Sequence, residues 1–345
     1  MLEIDGSEGE GGGQIVRSSL ALAMITGQAI ALDNIRARRK NPGLQRQHVT
    51  AVKAAAQICG AGMIGASLGS SRLQFAPGSI QAGSYRFDIG TAGSASLVLQ
   101  TILLPLLLAE GHSECTLCGG THNPLAPPYE FFANAYLPLL KRMGLHATVE
   151  LVRRGFYPAG GGELRAAVSP ATELQDFELP ERGELLRREA RIIVARLPEN
   201  VAQREADVLR AKLGWKQDEI YSEADTTSRG PGNAILVTLE YQHVTEVFAS
   251  FGAKGKRAEQ VADEAVAETQ SYLESTAPIG PHLADQLILP LAIAASRGKR
   301  SSFRTLPLTQ HALTHIDIVQ RFLSVAIATH ASDDGSVRVE LKPKP

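Results

Sequence analysis

Cysteine, aromatic side chains, unbalanced charge and long apolar runs are all scarce in this chain of 345 residues, and each scarcity closes off a class of function. Three cysteines, an odd number, cannot build the disulfide framework that staples a small secreted domain. Cys115 and Cys118 form one C-x-x-C, but no second pair or histidine partner has zinc spacing, and the segment reads as a strand running into Gly119-Gly120. Lys and Arg number 35 against 36 Asp and Glu, a formal net charge of -1, so bulk attraction to polyanions is excluded. Any nucleic acid must meet a local basic cluster. The longest apolar run, Leu97 to Ala109, is too short for a bilayer and contains Gln100 and Pro105, which suits a buried helix. The opening Met1-Leu2-Glu3-Ile4-Asp5 has no basic region followed by an apolar one, so no signal peptide is visible. The expectation is a soluble cytoplasmic protein with no membrane attachment.

What is present is a repeat. Leu103-Leu104-Pro105-Leu106-Leu107-Leu108-Ala109 resembles Ile288-Leu289-Pro290-Leu291-Ala292-Ile293-Ala294, and a looser copy runs from Ile15 to Thr26. Each apolar helix ends near a glycine and leads into a strand-like stretch, a loop and a second amphipathic helix: 44–58, 129–143 and 313–323. Three helix–strand–helix–strand copies predict an α/β or α+β core of sheets covered by helices. Counted back from the shared proline, Gln100 and Asp285 hold the same place in their helices, so symmetry brings both to one region, where helix N-termini favour phosphate. The repeat breaks off between about Gly183 and Ala277, where a more charged pattern of short strands and helices predicts a small inserted α/β domain. The core is then residues 1–182 and 277–345, and the insert 183–276.

Three motifs point to chemistry. Gly6-Ser7-Glu8-Gly9-Glu10-Gly11-Gly12-Gly13-Gln14 precedes an apolar helix, so its backbone N–H groups can approach a phosphate. It is not a Walker A loop, because no G-K-[ST] follows. Glu10 among those glycines needs a cation beside a phosphate, which a divalent metal supplies. Arg36, Arg38, Arg39, Lys40 and Arg46 crowd into eleven residues, with Arg17 before and Gln47-His48 after, and arginine's planar fork suits phosphate oxygens. No aromatic is interleaved there, and aromatics are only 5% of the chain, so RNA or DNA would be held by phosphates or an end. Finally, His311 sits immediately before the third repeat's second helix, where the helix dipole favours a neutral, nucleophilic imidazole.

Taken together these residues resemble the RNA 3′-terminal phosphate cyclase family. The matching stretches are Gly9-Glu10-Gly11-Gly12-Gly13-Gln14, Ile35-Arg36-Ala37-Arg38-Arg39, Pro42-Gly43-Leu44-Gln45-Arg46-Gln47-His48, Gly90-Thr91-Ala92-Gly93-Ser94 and Val98-Leu99-Gln100-Thr101. Further along come Gly119-Gly120-Thr121, Gly155-Phe156-Tyr157-Pro158-Ala159-Gly160-Gly161-Gly162, Arg229-Gly230-Pro231-Gly232-Asn233 and Leu283-Ala284-Asp285-Gln286-Leu287. The likeness runs to about Leu323.

The resemblance implies a core of three related repeats, as in enolpyruvyl transferases, carrying a thioredoxin-like insert. It implies conversion of an RNA 3′-phosphate to a 2′,3′-cyclic phosphodiester with ATP and a divalent cation, Mg²⁺ or Mn²⁺, through a histidine-AMP intermediate. Its nucleophile falls on His311. Nucleotide contacts fall on Gln100, Pro127, His282, Leu283, Ala284, Asp285 and Gln286, with Pro127 near the adenine. Phosphate contacts fall on Arg17, Arg36, Arg39 and Gln47, and metal contacts on Glu10 and Asp285. The partner is RNA ending in a 3′-phosphate, and a homodimer is compatible with the family. His282 stands where many members carry tyrosine, His122 where an acidic residue is common, and His315 where asparagine is frequent. A noncatalytic ribosome-assembly relative would lack the histidine, and an enolpyruvyl transferase would lack these motifs.

Overall fold

The computed structural model describes residues 1–344. The chain begins with β1 (Leu2–Asp5), α1 (Gly13–Thr26), β2 (Ile30–Asp33), α2 (Arg46–Cys59), β3 (Gly62–Ile64) and β4 (Leu73–Ala76). A second set follows: β5 (Ser84–Asp88), α3 (Ala95–Leu107), β6 (Ser113–Gly119), a π-helical turn Phe131–Tyr136 leading into α4 (Leu137–Arg142), β7 (Ala147–Arg153) and β8 (Gly162–Val168). Next comes β9 (Phe177–Leu179), then β10 (Leu185–Ala195), α5 (Asn200–Leu213), β11 (Ile220–Ala224), β12 (Gly232–Tyr241), β13 (Thr245–Phe251) and α6 (Ala258–Glu274). The chain closes with α7 (Pro281–Ser296), β14 (Ser301–Thr305), α8 (Gln310–Phe322), β15 (Val325–Ala331) and β16 (Val337–Pro343).

Three of the four sheets share one topology. Their orders are β1-β2-β4-β3, β5-β6-β8-β7 and β9-β14-β16-β15. In each, the first two strands are parallel and the last two join antiparallel. Each unit is therefore β-α-β-α-β-β, two strands more than the sequence pattern predicts, one at its start and one at its end. In the third unit that strand, β9, is only three residues long, and it pairs with β14 across everything from β10 to α6. The fourth sheet, β11-β10-β12-β13, is built wholly from that intervening stretch, with β10 and β11 parallel and β12 and β13 antiparallel.

Apolar surface decides where the helices go. α1, α3 and α7 are hydrophobic nearly all round, which a helix tolerates only when buried on most sides. Leu20 and Leu22, Leu99 and Ile102, and Leu287 and Ile288 are fully buried and belong to one continuous core. A separate core under the fourth sheet gathers Ile192, Leu209, Trp215, Val237 and Tyr272. The three cysteines are buried and free, and burial pushes the Cys115 thiol up to about 12, which leaves it inert. Among the described residues no helix is long and apolar enough to cross a membrane.

Glu246 of β13 ties the fourth sheet to the core. Its Oε1 accepts the backbone N–H of Gly280, the cap of α7, at 2.6 Å. Burial pushes its carboxyl up to about 8 in spite of that bond, from an ordinary 4.5. The folded chain thus holds a proton that the unfolded chain releases near pH 4.5, so the contribution to stability falls as pH rises through about 8. Glu205, pushed up to about 7 by burial, adds a slope of the same sign. Glu246→Gln keeps an acceptor for Gly280, and its thermal midpoint should fall less between pH 5 and 8 than that of the wild type. Equal pH slopes in a melting series would contradict this.

Candidate active site

The three apolar helices meet through polar side chains in their N-terminal halves. Arg17 Nε of α1 donates to Gln100 Oε1 of α3 at 3.2 Å, Gln100 Nε2 donates to Gln286 Oε1 of α7, and Gln14 Nε2 of α1 donates to Asp285 Oδ1 of α7 at 2.8 Å. Each pair of repeats is thus joined, and a small pocket lined by Gln14, Arg17, Gln100, Tyr136, Gln286 and His315 opens between them.

α8 brings His311 to this cluster. It starts three residues earlier than the sequence pattern predicts, because Thr309 caps it, its hydroxyl accepting the N–H of Ala312. His311 consequently lies in the first turn and not ahead of the helix. Its Nδ1 is 3.1 Å from Asp285 Oδ1 and its Nε2 is 3.6 Å from Glu10 Oε2, with the side chain 36% exposed. An Nδ1–H donated to Asp285 leaves the lone pair on Nε2, the nitrogen facing the glycine loop.

Asp285 is saturated with donors. Besides His311 and Gln14, its Oδ1 lies 3.3 Å from His315 Nδ1, and its Oδ2 accepts Gln286 Nε2 at 3.0 Å. Burial opposes the charge, but the bonds to His311 and His315 outweigh it and hold the carboxyl well below the usual range. Both oxygens have N–H partners, so Asp285 is placed to orient the His311 ring. Glu10 is freer. Arg39 pairs with its Oε1, and its Oε2 faces His311.

The glycine loop is held against α8 by close approach. Gly9 has φ +53°, and a Cβ there would fall 2.1 Å from Thr314 Oγ1, which also accepts the Glu10 N–H at 3.1 Å. At the start of α1 a Cβ on Gly13 would sit 2.2 Å from His48 Nε2. His48 Nδ1 accepts the Gln45 N–H, and burial together with Arg17 and Arg36 pushes its pKa down to about 3. It therefore stays neutral and serves as a structural prop.

The arginines divide into two kinds. Arg17 is buried and, among the described residues, has no carboxylate in ion-pair contact; burial pushes it down to about 10 while Asp285 and Glu10 support its charge. It remains cationic, with its terminal nitrogens left for an anion. Arg39 reaches the glycine loop. Arg36, by contrast, spends one terminal nitrogen on the carbonyls of Asn41 and Gly43, at 2.5 and 3.0 Å, and so also shapes its own loop. Gln47 Oε1 accepts the Ser94 N–H at 2.9 Å, tying α2 to the 90–94 loop.

The remaining residues of the set lie further out. Leu283 and Ala284 are wholly buried, so their side chains serve the core. His282 is exposed on the first turn of α7, 3.6 Å from Glu268, and that contact raises its pKa. Pro127 is half-buried in the loop after β6 and takes no part in the hydrogen-bonded cluster. Two residues given no role in the sequence reading belong to the cluster: Gln14, and Thr314, which sits three residues past His311 on the same helical face. Among the described residues, no group of three or more His, Cys, Asp or Glu side chains is arranged to hold a metal ion. The donor set fits a cation gripped by Glu10 and phosphate oxygens, the usual manner of a hard ion on a nucleotide, and not an all-protein cage.

Comparison with known proteins identifies the family of the chain. The family model described as RNA 3′-terminal phosphate cyclase matches residues 8–329. A protein named RNA 3′-terminal phosphate cyclase from Pseudomonas fluorescens is 46% identical over 340 residues, covering 99% of this chain and 97% of its own. Its namesake from Salmonella enteritidis PT4 is 47% identical over 335 residues, 97% of each chain. That of Ectopseudomonas mendocina is 46% identical over 341 residues, 99% of this chain and 98% of its own. The glycine loop, the joined helices and His311 all lie inside the matched span, and the chain belongs to the RNA 3′-terminal phosphate cyclase family.

Proposed function

We propose that this protein uses ATP to convert an RNA 3′-phosphate into a 2′,3′-cyclic phosphodiester through an adenylylated His311. The observation that carries the reading is the His311 ring, with Nδ1 on Asp285 and Nε2 open toward Glu10 and the glycine loop. A phosphate monoester is a dianion with a poor leaving group, so the adjacent 2′-hydroxyl cannot readily displace oxygen from it. Two transfers divide the difficulty. The Nε2 lone pair attacks the α-phosphorus of ATP, forming a P–N bond as the bond to the β-phosphate oxygen breaks and pyrophosphate leaves. An oxygen of the RNA 3′-phosphate then attacks the same phosphorus, and the P–N electron pair returns to Nε2. Finally the 2′-oxygen attacks the activated RNA phosphorus, its proton passing to solvent, and AMP departs.

The chain's own residues supply orientation and charge. Asp285 fixes the ring, Arg17 and Arg39 face the phosphates, and Gln100 and Gln286 brace Arg17 and Asp285. A divalent cation on Glu10 would neutralise phosphate oxygens that repel an approaching nucleophile. The 2′-hydroxyl requirement restricts cyclisation to RNA ends.

The test incubates the protein with ATP, Mg²⁺ or Mn²⁺ and an oligoribonucleotide bearing a labelled 3′-phosphate. The label should become resistant to phosphatase, one AMP forming per end. The same oligomer with a terminal 2′-deoxyribose should yield no cyclic product. A label that stays phosphatase-sensitive in every case would favour a noncatalytic relative.

A further inference from the structure

Three glycine-rich stretches, 90–94, 155–162 and 229–233, play no part in the cluster around His311. The structure stacks them on one another. A Cβ on Gly160 would come 2.8 Å from the Ala92 backbone, one on Gly230 would fall 2.4 Å from the Ala159 side chain, and one on Gly161 would meet Arg229 Cδ at 2.4 Å. The stack is continuous with the proposed site at one end, where Gln47 holds Ser94.

Its outer side carries an exposed aromatic ring and several arginines. Tyr157 at the tip is 71% exposed, whereas the adjacent Phe156 is 3% exposed and anchors the loop against Gly232. The chain has seven tyrosines, and the other exposed one, Tyr221, is engaged through its hydroxyl with Arg191 and Glu189. Three arginines surround the stack without a carboxylate in ion-pair range among the described residues: Arg153, Arg196 and Arg229. Arg153 donates only its Nε, to Gly161 O at 2.6 Å, and Arg196 only its Nε, to Ser228 O at 3.2 Å, so both keep their terminal nitrogens. Arg229 lies extended across Gly161, a position only glycine permits. Neighbouring arginines are spent otherwise, since Arg154 pairs with Glu223 and Glu130, and Arg187, Arg188 and Arg191 all have glutamates. Free guanidinium groups beside an outward aromatic ring are what single-stranded nucleic acid requires: charge along the backbone and a face for a base.

We propose that this tip is the track for single-stranded RNA 5′ of the terminal dinucleotide. Tyr157 stacks on a base, and Arg153, Arg196 and Arg229 hold the internal phosphates. The proposal rests on the reading of the chain as an enzyme of RNA 3′-phosphate ends, and it adds where the strand runs and what the glycine stack is for.

The experiment compares two substrates, a ten-nucleotide RNA with a 3′-phosphate and a dinucleotide with a 3′-phosphate, which offers only one internal phosphate. Tyr157→Ala should raise KM for the longer RNA about tenfold with kcat unchanged, and Tyr157→Phe should restore it, because stacking needs the ring and not the hydroxyl. Arg229→Ala should lower the salt dependence of KM for the longer RNA by roughly 0.7 in log–log slope. Neither substitution should alter KM for the dinucleotide or the rate of self-adenylylation with ATP alone. Equal effects on both substrates, no effect on either, or loss of self-adenylylation would each overturn the track. If wild-type protein cyclises neither substrate, it is the proposed function that fails.

Discussion

His311→Ala protein should take up no label from α-labelled ATP and should produce no cyclic ends. The variant loses the imidazole whose Nε2 faces Glu10 in the glycine loop, the nitrogen that the proposed adenylylation uses. Folding should survive. The ring is 36% exposed, and the helix it stands on is capped by Thr309 and not by the histidine. A melting curve close to wild type, together with absent label, would separate lost chemistry from lost structure. Persistent label at wild-type stoichiometry would move the nucleophile elsewhere.

Asp285→Asn should be nearly as damaging, although the substitution changes no shape. Asp285 receives N–H groups from His311, His315, Gln14 and Gln286, and these keep it ionised throughout the range in which the protein can be assayed. An amide there can turn its NH₂ toward the ring and make Nδ1 an acceptor. The proton then sits on Nε2, where the attacking lone pair has to be. Inverting a tautomer in this way costs about 10⁴-fold in the Ser-His-Asp arrangement. Single-turnover adenylylation should fall by at least about 10³-fold, while half-saturation by ATP, set by Arg17 and the loops, moves little. A rate within tenfold of wild type would mean that Asp285 does not set the ring.

Much of the architecture was legible because the apolar helices are long and alike. The run 103–109 and its copy at 288–294 carry a proline at the same place, and that register alone aligns Gln100 with Asp285. The structure adds that Gln286, one residue on, makes the contact with Gln100. β9 was not legible: three residues carry no periodicity, and their partner strand lies beyond the whole fourth sheet. The start of α8 was misplaced because Thr309 and Gln310 are polar, and an apolar pattern cannot see a cap. Gln14 and Thr314 went without roles for a related reason. Their partners are 271 and 304 residues away in sequence, so only the fold brings them into contact. Arg36 shows the converse limit, since a charge cluster does not reveal which member is spent on its own loop.

The most direct measurement is peptide mapping by mass spectrometry of wild-type protein after reaction with ATP and a divalent cation. The account predicts a single added AMP on the peptide containing His311, joined through Nε2, released by acid and lost on adding 3′-phosphorylated RNA. An adduct on a lysine or on any other histidine, or cyclic ends formed with no adduct at any time, would contradict it.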